Sequence, residues 1–72
     1  MENGNIGAAL LELRRRRGVR QLDVCKTTGL WPSELSRYEH GTRIPRLQKL
    51  TALADYYGVS LDVLAGREPE DK

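Results

Sequence analysis

The residues best suited to recognise another molecule are Ser33, Glu34 and Arg37, which lie between Gly29 and Gly41. On a helix, steps of about 100° per residue bring these three side chains to one outward face. All three can donate or accept hydrogen bonds. The pattern therefore indicates a face that is recognised by a molecule outside the chain.

Positive charge is concentrated in the middle of the 72-residue chain. Residues 14–46 contain nine lysines and arginines and three acidic residues, a net charge of +6, whereas the remaining residues carry −4. This asymmetry favours one basic face that binds an anion and one acidic side that does not. A charged surface that is merely solvated is the alternative interpretation, because charge patterning alone is a weak signal.

Residues that would support catalysis or metal binding are scarce. The chain has one cysteine, Cys25, and one histidine, His40, with no Cys-x-x-Cys pair, no glycine-rich phosphate loop and no nucleophile beside a base. We therefore expect neither an enzyme nor a metal or cofactor site, and no small-molecule ligand is evident. Apolar runs are too short to span a membrane and the N-terminus has no signal-peptide pattern, so the expected location is the cytoplasm.

Apolar periodicity and glycine stops predict an all-α domain of five helices. The predicted helices are 5–17, 21–28, 32–39, 46–57 and 60–65, and each is followed by a glycine within two residues. A chain of this length can build only one core, so we expect a single domain over residues 1–66. The polar residues 67–72 are expected to be a frayed tail.

The second and third predicted helices are separated by a three-residue turn. Gly29 can adopt the left-handed conformation at no steric cost, so the two helices can meet at a steep angle. This arrangement is a helix-turn-helix, whose second helix lies in the major groove of DNA. It explains why only Leu30, Leu35 and Tyr38 form a narrow apolar seam on this segment, since its other side is available to base edges and phosphates.

A set of residues in fixed order runs from Ile6 to Gly66: Ile6-Gly7, Leu10, Leu13-Arg14, Gly18 to Gln21, Val24-Cys25, Gly29-Leu30, Leu35 to Gly41, Pro45, and Leu53-Ala54 with Tyr57 to Leu61. This set resembles the lambda repressor/Cro-like (XRE-type) helix-turn-helix proteins, which include phage repressors, antitoxins and restriction-modification controllers. The resemblance implies a five-helix domain, bacterial or phage-encoded, that binds operator DNA as a two-fold dimer and regulates transcription, with repression as the expected outcome.

The resemblance also implies roles for individual residues. Gln21 matches a phosphate-contacting glutamine that is often braced on the recognition helix, and Arg14 and Glu39 match a partly buried ion pair. The positions that reach base edges or flanking phosphates are Pro32, Ser33, Glu34 and Arg37, and the loop that touches the DNA backbone contains Thr42 and Arg43.

The chemistry of these side chains agrees with the implied roles to different degrees. Arg37 can offer two parallel N–H groups to guanine, whereas Glu34 either accepts from cytosine or stabilises the helix N-terminus. Ser33 suits a phosphate contact or an internal cap better than base reading. The residues available to neutralise phosphates are Arg17, Arg20, Arg43 and Arg46.

Trp31 departs from the family pattern, because a small hydroxyl residue usually caps the third helix. Its indole either rests on the sugar-phosphate backbone with the N–H toward a phosphate, or packs on Tyr38 or on another domain. We expect packing for most of the ring, with the N–H edge near phosphate. Arg46 similarly stands where serine commonly opens the fourth helix, so both caps are expected to be weak.

Four apolar residues occupy positions that are usually polar in the family: Leu22, Ile44, Tyr56 and Val63. Tyr56 and Val63 fall on the C-terminal helices, so we expect them in a homodimer interface. The runner-up function is a protein-binding adaptor or antitoxin that uses Leu22, Trp31 and Tyr56 to hold a protein. Salt dependence would distinguish the two functions, because DNA binding weakens steeply as salt rises.

Overall fold

The computed structural model describes residues 6–66 of the chain and contains five α-helices. They are α1 (Ile6–Arg17), α2 (Gln21–Thr28), α3 (Pro32–His40), α4 (Leu47–Tyr57) and α5 (Leu61–Leu64). The all-α class and the order of the five helices are confirmed. The predicted start of the first helix at residue 5 and the predicted tail at 67–72 lie outside the described residues.

Where the helix boundaries differ from the predicted ones, each differs by one residue. The third helix continues to His40, one residue beyond the predicted end. The fourth begins at Leu47 because Arg46 has an extended backbone and occupies the N-cap. The fifth is only Leu61–Leu64, since the Ser60 hydroxyl caps it by accepting from the Val63 N–H at 3.2 Å.

Apolar residues from all five helices form one hydrophobic core. The fully buried members include Leu10 of α1, Leu35 of α3, Leu53 of α4 and Leu64 of α5. Cys25 is also buried, and desolvation raises the pKa of its thiol. Cys25 therefore acts as a small core residue. Within residues 6–66 none of the helices combines the length and apolar character needed to cross a membrane.

Two glycines set the position of α3. Gly29 adopts a left-handed φ of 81° and its N–H donates to the Cys25 carbonyl, so α2 ends there and the chain can turn sharply into α3. Gly7 lies where α1 crosses the C-terminal end of α3. A Cβ atom at this position would overlap the Tyr38 carbonyl oxygen, so only glycine lets the two helices approach so closely.

Candidate nucleic-acid interface

The outward face of α3 carries three of the predicted readers in exposed positions. Leu35 and Tyr38 turn inward and are buried, whereas Pro32, Ser33 and Arg37 are exposed. Among the residues that the structure describes, the Ser33 hydroxyl and the Arg37 guanidinium have no hydrogen-bond partner. Both side chains are therefore available to a ligand.

Glu34 lies on the same helix, but its carboxylate is occupied within the domain. One oxygen accepts from the Trp31 backbone N–H at 3.1 Å, and the other accepts from Lys49 Nζ and from the Tyr38 hydroxyl at 3.5 Å. The hydrogen bond from Lys49 is the largest of the effects that lower the pKa of Glu34. Of the two roles open to Glu34, this geometry favours the stabilisation of the helix N-terminus over the reading of cytosine.

Cations surround a shallow depression between α3 and the start of α4. Arg43 and Arg46 line it together with Gln48, Lys49 and Glu34. Sequence reasoning included the two arginines and missed Gln48 and Lys49. Lys49 lies one helical turn after Arg46, and this spacing could have placed both cations on the same face of α4. Its contact with Glu34 was not predictable in this way, because the two residues are 15 positions apart and meet only through the packing of α4 on α3.

A buried carboxylate ties the start of α2 and the end of α1 to α3. Glu39, whose side chain is 2% exposed, accepts from Arg14 Nε at 2.7 Å and Nη2 at 3.0 Å. It also accepts from Gln21 Nε2 at 2.9 Å. Arg14 completes the set by donating from Nη1 to the Val19 carbonyl at 3.1 Å, and its hydrogen bonds to Glu39 raise its pKa. This cluster, the Arg14–Glu39–Gln21 clamp, fixes three helices relative to one another.

Gln21 retains part of its hydrogen-bonding capacity after joining the clamp. Its amide nitrogen donates to Glu39, so the side chain is braced on α3 while it stands at the first position of α2. An amide has a second N–H and a carbonyl oxygen for other partners. The residue is thus held in place at a helix N-terminus, where anions are favoured.

The four arginines expected to neutralise phosphates do not share one environment. Arg43 and Arg46 are exposed beside α3. Arg20 is also exposed, but its guanidinium forms a two-bond pair with Asp23, at 3.0 and 3.2 Å. Part of its charge is therefore already neutralised within α2.

Arg17 has internal contacts with the C-terminal end of α4. It donates to the Tyr57 carbonyl at the last residue of α4, and its guanidinium carbon is 5.9 Å from the centre of the Tyr57 ring. Lys49 and the depression beside α3 lie at the other end of α4. The carbonyl end of a helix attracts cations, which explains this placement.

The turn after α3 is held by Thr42. Its hydroxyl donates to the Arg37 carbonyl at 3.2 Å, and its backbone N–H donates to the same carbonyl at 3.0 Å. These bonds satisfy an end carbonyl of α3 and fix the start of the loop that contains Arg43. The Thr42 hydroxyl oxygen can still accept a hydrogen bond.

The expectation that most of the Trp31 ring packs within the domain is wrong. Trp31 is 73% exposed. As expected for a residue before proline, its backbone is extended, with φ −84° and ψ 147°. This conformation leaves the indole outside the core, beside the first turn of α3.

The residues expected at a dimer interface line two different depressions. Tyr56 packs edge-on against Tyr57 with ring centres 5.0 Å apart, and it borders a groove with Thr27 and Thr28 of α2. Val63 instead borders a shallow depression formed mainly by α1. Both residues are half-buried.

Comparison with known proteins gives two findings. A family model described as a helix-turn-helix domain matches residues 5–66. The chain is also similar to the HTH-type transcriptional regulator ImmR of Bacillus subtilis (strain 168), with 31% identity over 68 residues. That alignment covers 94% of this chain and 54% of the relative, so the chain spans about half the length of the curated relative it matches. No solved structure gives a significant match.

Proposed function

The chain belongs to the XRE-type family of helix-turn-helix domains, and on this premise we propose that it is a sequence-specific DNA-binding regulator of transcription. The observation that carries the proposal is the outward face of α3. Ser33 and Arg37 are exposed there without an internal partner. The Arg14–Glu39–Gln21 clamp joins α3 to α1 and α2. A rigid helix with unoccupied hydrogen-bonding groups suits the major groove.

Base reading by α3 rests mainly on Arg37. A guanidinium can donate two parallel hydrogen bonds to the O6 and N7 atoms of guanine, which is the commonest specific contact in the major groove. Pro32 and Ser33 precede it on the exposed side of the helix. Glu34 is a positioning residue in this proposal, because its oxygens are occupied by Trp31, Tyr38 and Lys49.

Phosphate binding would be shared by groups that border α3. Arg43 and Arg46 lie beside the helix, and Gln21 stands braced at the start of α2. Thr42 and Arg20 add a hydroxyl and a partly neutralised guanidinium. Such contacts set the affinity and orientation of the domain without specifying sequence.

A homodimer on a two-fold operator completes the proposal. One short recognition helix covers only a few base pairs, so two copies with half-sites centred about 34 Å apart would supply the specificity. Tyr56 and Val63 remain the proposed interface residues; each is half-buried and so retains exposed surface on the C-terminal half of the domain. Residues 1–66 would form the DNA-binding domain, and occupation of the operator would repress transcription.

A protein-binding adaptor or antitoxin is the second candidate. It is favoured by the exposed side chains of Leu22 and Trp31, which a protein partner would cover. An apolar contact of this kind would change little with salt, in contrast to phosphate binding.

Selection of bound duplexes from a random pool, followed by a salt titration, tests the proposal. Arg43 and Arg46, together with the partly neutralised Arg20, predict a slope of log K against log salt of about −4 to −5 for a dimer. Arg43→Ala should reduce this slope, whereas Arg15→Ala on the exposed side of α1 should leave it nearly unchanged. Failure to enrich any DNA sequence would refute sequence-specific binding. A protein partner that stays bound at high salt would favour the adaptor function.

A further inference from the structure

The first turn of α3 presents an apolar edge beside its polar readers. Trp31 is 73% exposed, and the adjacent Pro32 is exposed at the first helical position. Proline has neither a backbone N–H nor a polar side-chain atom, and the tryptophan indole has a single donor. This edge therefore has apolar surface as its main means of recognition.

Positive charge indicates what kind of molecule covers this edge. Arg37 lies on the same helix, and Arg43, Arg46 and Lys49 lie around the depression that also contains Glu34. An apolar edge on the helix that also carries Arg37, with Arg43 and Arg46 beside that helix, complements a polyanion that displays apolar groups. The major groove of DNA displays one such group, the C5-methyl of thymine.

Resting on the DNA-binding function proposed above, we infer that Trp31 and Pro32 recognise the C5-methyl group of a thymine in each half-site. Cytosine lacks this methyl group, so apolar contact distinguishes a T·A pair from a C·G pair. Cytosine would instead need a hydrogen-bond acceptor for its N4 amino group, and the Glu34 carboxylate is already occupied. Apolar contact at this edge thus favours thymine, and the Glu34 carboxylate is not free to favour cytosine.

The spacing along α3 locates this thymine relative to the guanine read by Arg37. Pro32 and Arg37 are five residues apart, which corresponds to about 7.5 Å along the helix axis at 1.5 Å per residue. Base pairs are stacked about 3.4 Å apart, so the thymine should lie about two base pairs from the guanine.

Replacing single thymines of the selected operator with deoxyuracil tests the inference, because the change removes only the methyl group. At one position in each half-site, replacement of thymine by uracil should lower the affinity about fourfold. This fall corresponds to about 0.8 kcal/mol for one methyl group. The position should lie about two base pairs from the guanine for which the Arg37→Ala variant loses its preference. Trp31→Ala and Pro32→Ala should bind both duplexes with nearly equal affinity, and circular dichroism should show that both variants fold.

Leu61→Ala supplies the control, because it truncates an exposed leucine on α5 and should preserve the difference between thymine and uracil. The inference is overturned if no position responds to uracil, if both variants keep the full response, or if the selected operator lacks thymine there. In these cases Arg37-dependent preference would persist and the DNA-binding proposal would stand. Absence of any enriched sequence would refute that proposal as well.

Discussion

Removal of the Glu39 carboxylate should destabilise the domain more than any change to an exposed ion pair. Glu39 accepts two hydrogen bonds from Arg14 and one from Gln21, and only 2% of its side chain is exposed. Glu39→Ala would leave the Arg14 guanidinium without its partner in a largely buried site. Breaking a buried ion pair in this way costs about 3–5 kcal/mol.

The lower end of this range applies here. The Arg14 side chain is 20% exposed and keeps a bond to the Val19 carbonyl, so water and backbone can partly replace the lost partner. We therefore expect Glu39→Ala to lower the free energy of unfolding by about 3 kcal/mol. For a domain of this size the melting temperature would fall by roughly 12–24 °C.

Urea denaturation followed by circular dichroism measures this loss, and Glu12 provides a matched control. Glu12 pairs with Arg16 at 3.2 Å, but more than half of each side chain is exposed. Glu12→Ala should cost about 0.5 kcal/mol or less. Replacement of both clamp partners, Arg14→Met with Glu39→Leu, should recover much of the stability because no buried charge remains. A loss below about 1 kcal/mol for Glu39→Ala would refute the reasoning.

The packing of α1, the cap of α2 and the surface of α4 give three further predictions. Gly7→Ala should destabilise the domain by about 1–3 kcal/mol in urea unfolding, although alanine favours helices, because its Cβ would overlap the Tyr38 carbonyl. Hydrogen bonds from the Arg20 guanidinium and backbone N–H lower the pKa of Asp23 to about 2. The ionised Asp23 therefore stabilises the fold above pH 4, and this contribution should be lost as the pH falls toward 2. Asp23→Asn should reduce the pH dependence of unfolding in this window. Tyr56→Glu should abolish the dimer in light scattering, since a carboxylate would enter the proposed interface.

Variants with conservative substitutions, or with substitutions at exposed positions, serve as controls for these experiments. Ala8→Ser on the exposed side of α1 should alter stability by less than about 0.5 kcal/mol, and a stabilising Gly7→Ala would show that the helices can separate without cost. An unchanged acid response in Asp23→Asn would exclude the α2 cap as its origin. Tyr56→Phe should still dimerise; a dimer that persists in Tyr56→Glu would place the interface elsewhere.

The helices were predictable because local signals decide them. Apolar spacing and left-handed glycines such as Gly29 define where each helix runs and ends, and no described boundary departs from the prediction by more than one residue. Leu47 shows the limit of this reasoning. It fits the apolar period of α4 yet is exposed, because periodicity does not reveal which edge of a helix the neighbouring helices cover.

The site was less predictable because its contacts join residues that are distant in the sequence. Arg14 and Glu39 are 25 positions apart, and only the family resemblance suggested that they meet. Nothing local indicated that Lys49 would occupy the carboxylate of Glu34, or that Arg17 would turn toward the end of α4. Such pairings depend on the crossing of whole helices, which single-sequence spacing does not encode.

The most direct test of α3 as the reading helix compares Arg37→Ala with Arg43→Ala on the selected operator and on random duplex DNA. Arg37 lies on the outward face of α3, whereas Arg43 lies in the following loop beside the basic depression. We predict that Arg37→Ala loses about 1–3 kcal/mol of discrimination between the two duplexes, and that Arg43→Ala weakens binding to both by a similar factor. Equal losses on operator and random DNA for Arg37→Ala would contradict the role of this helix.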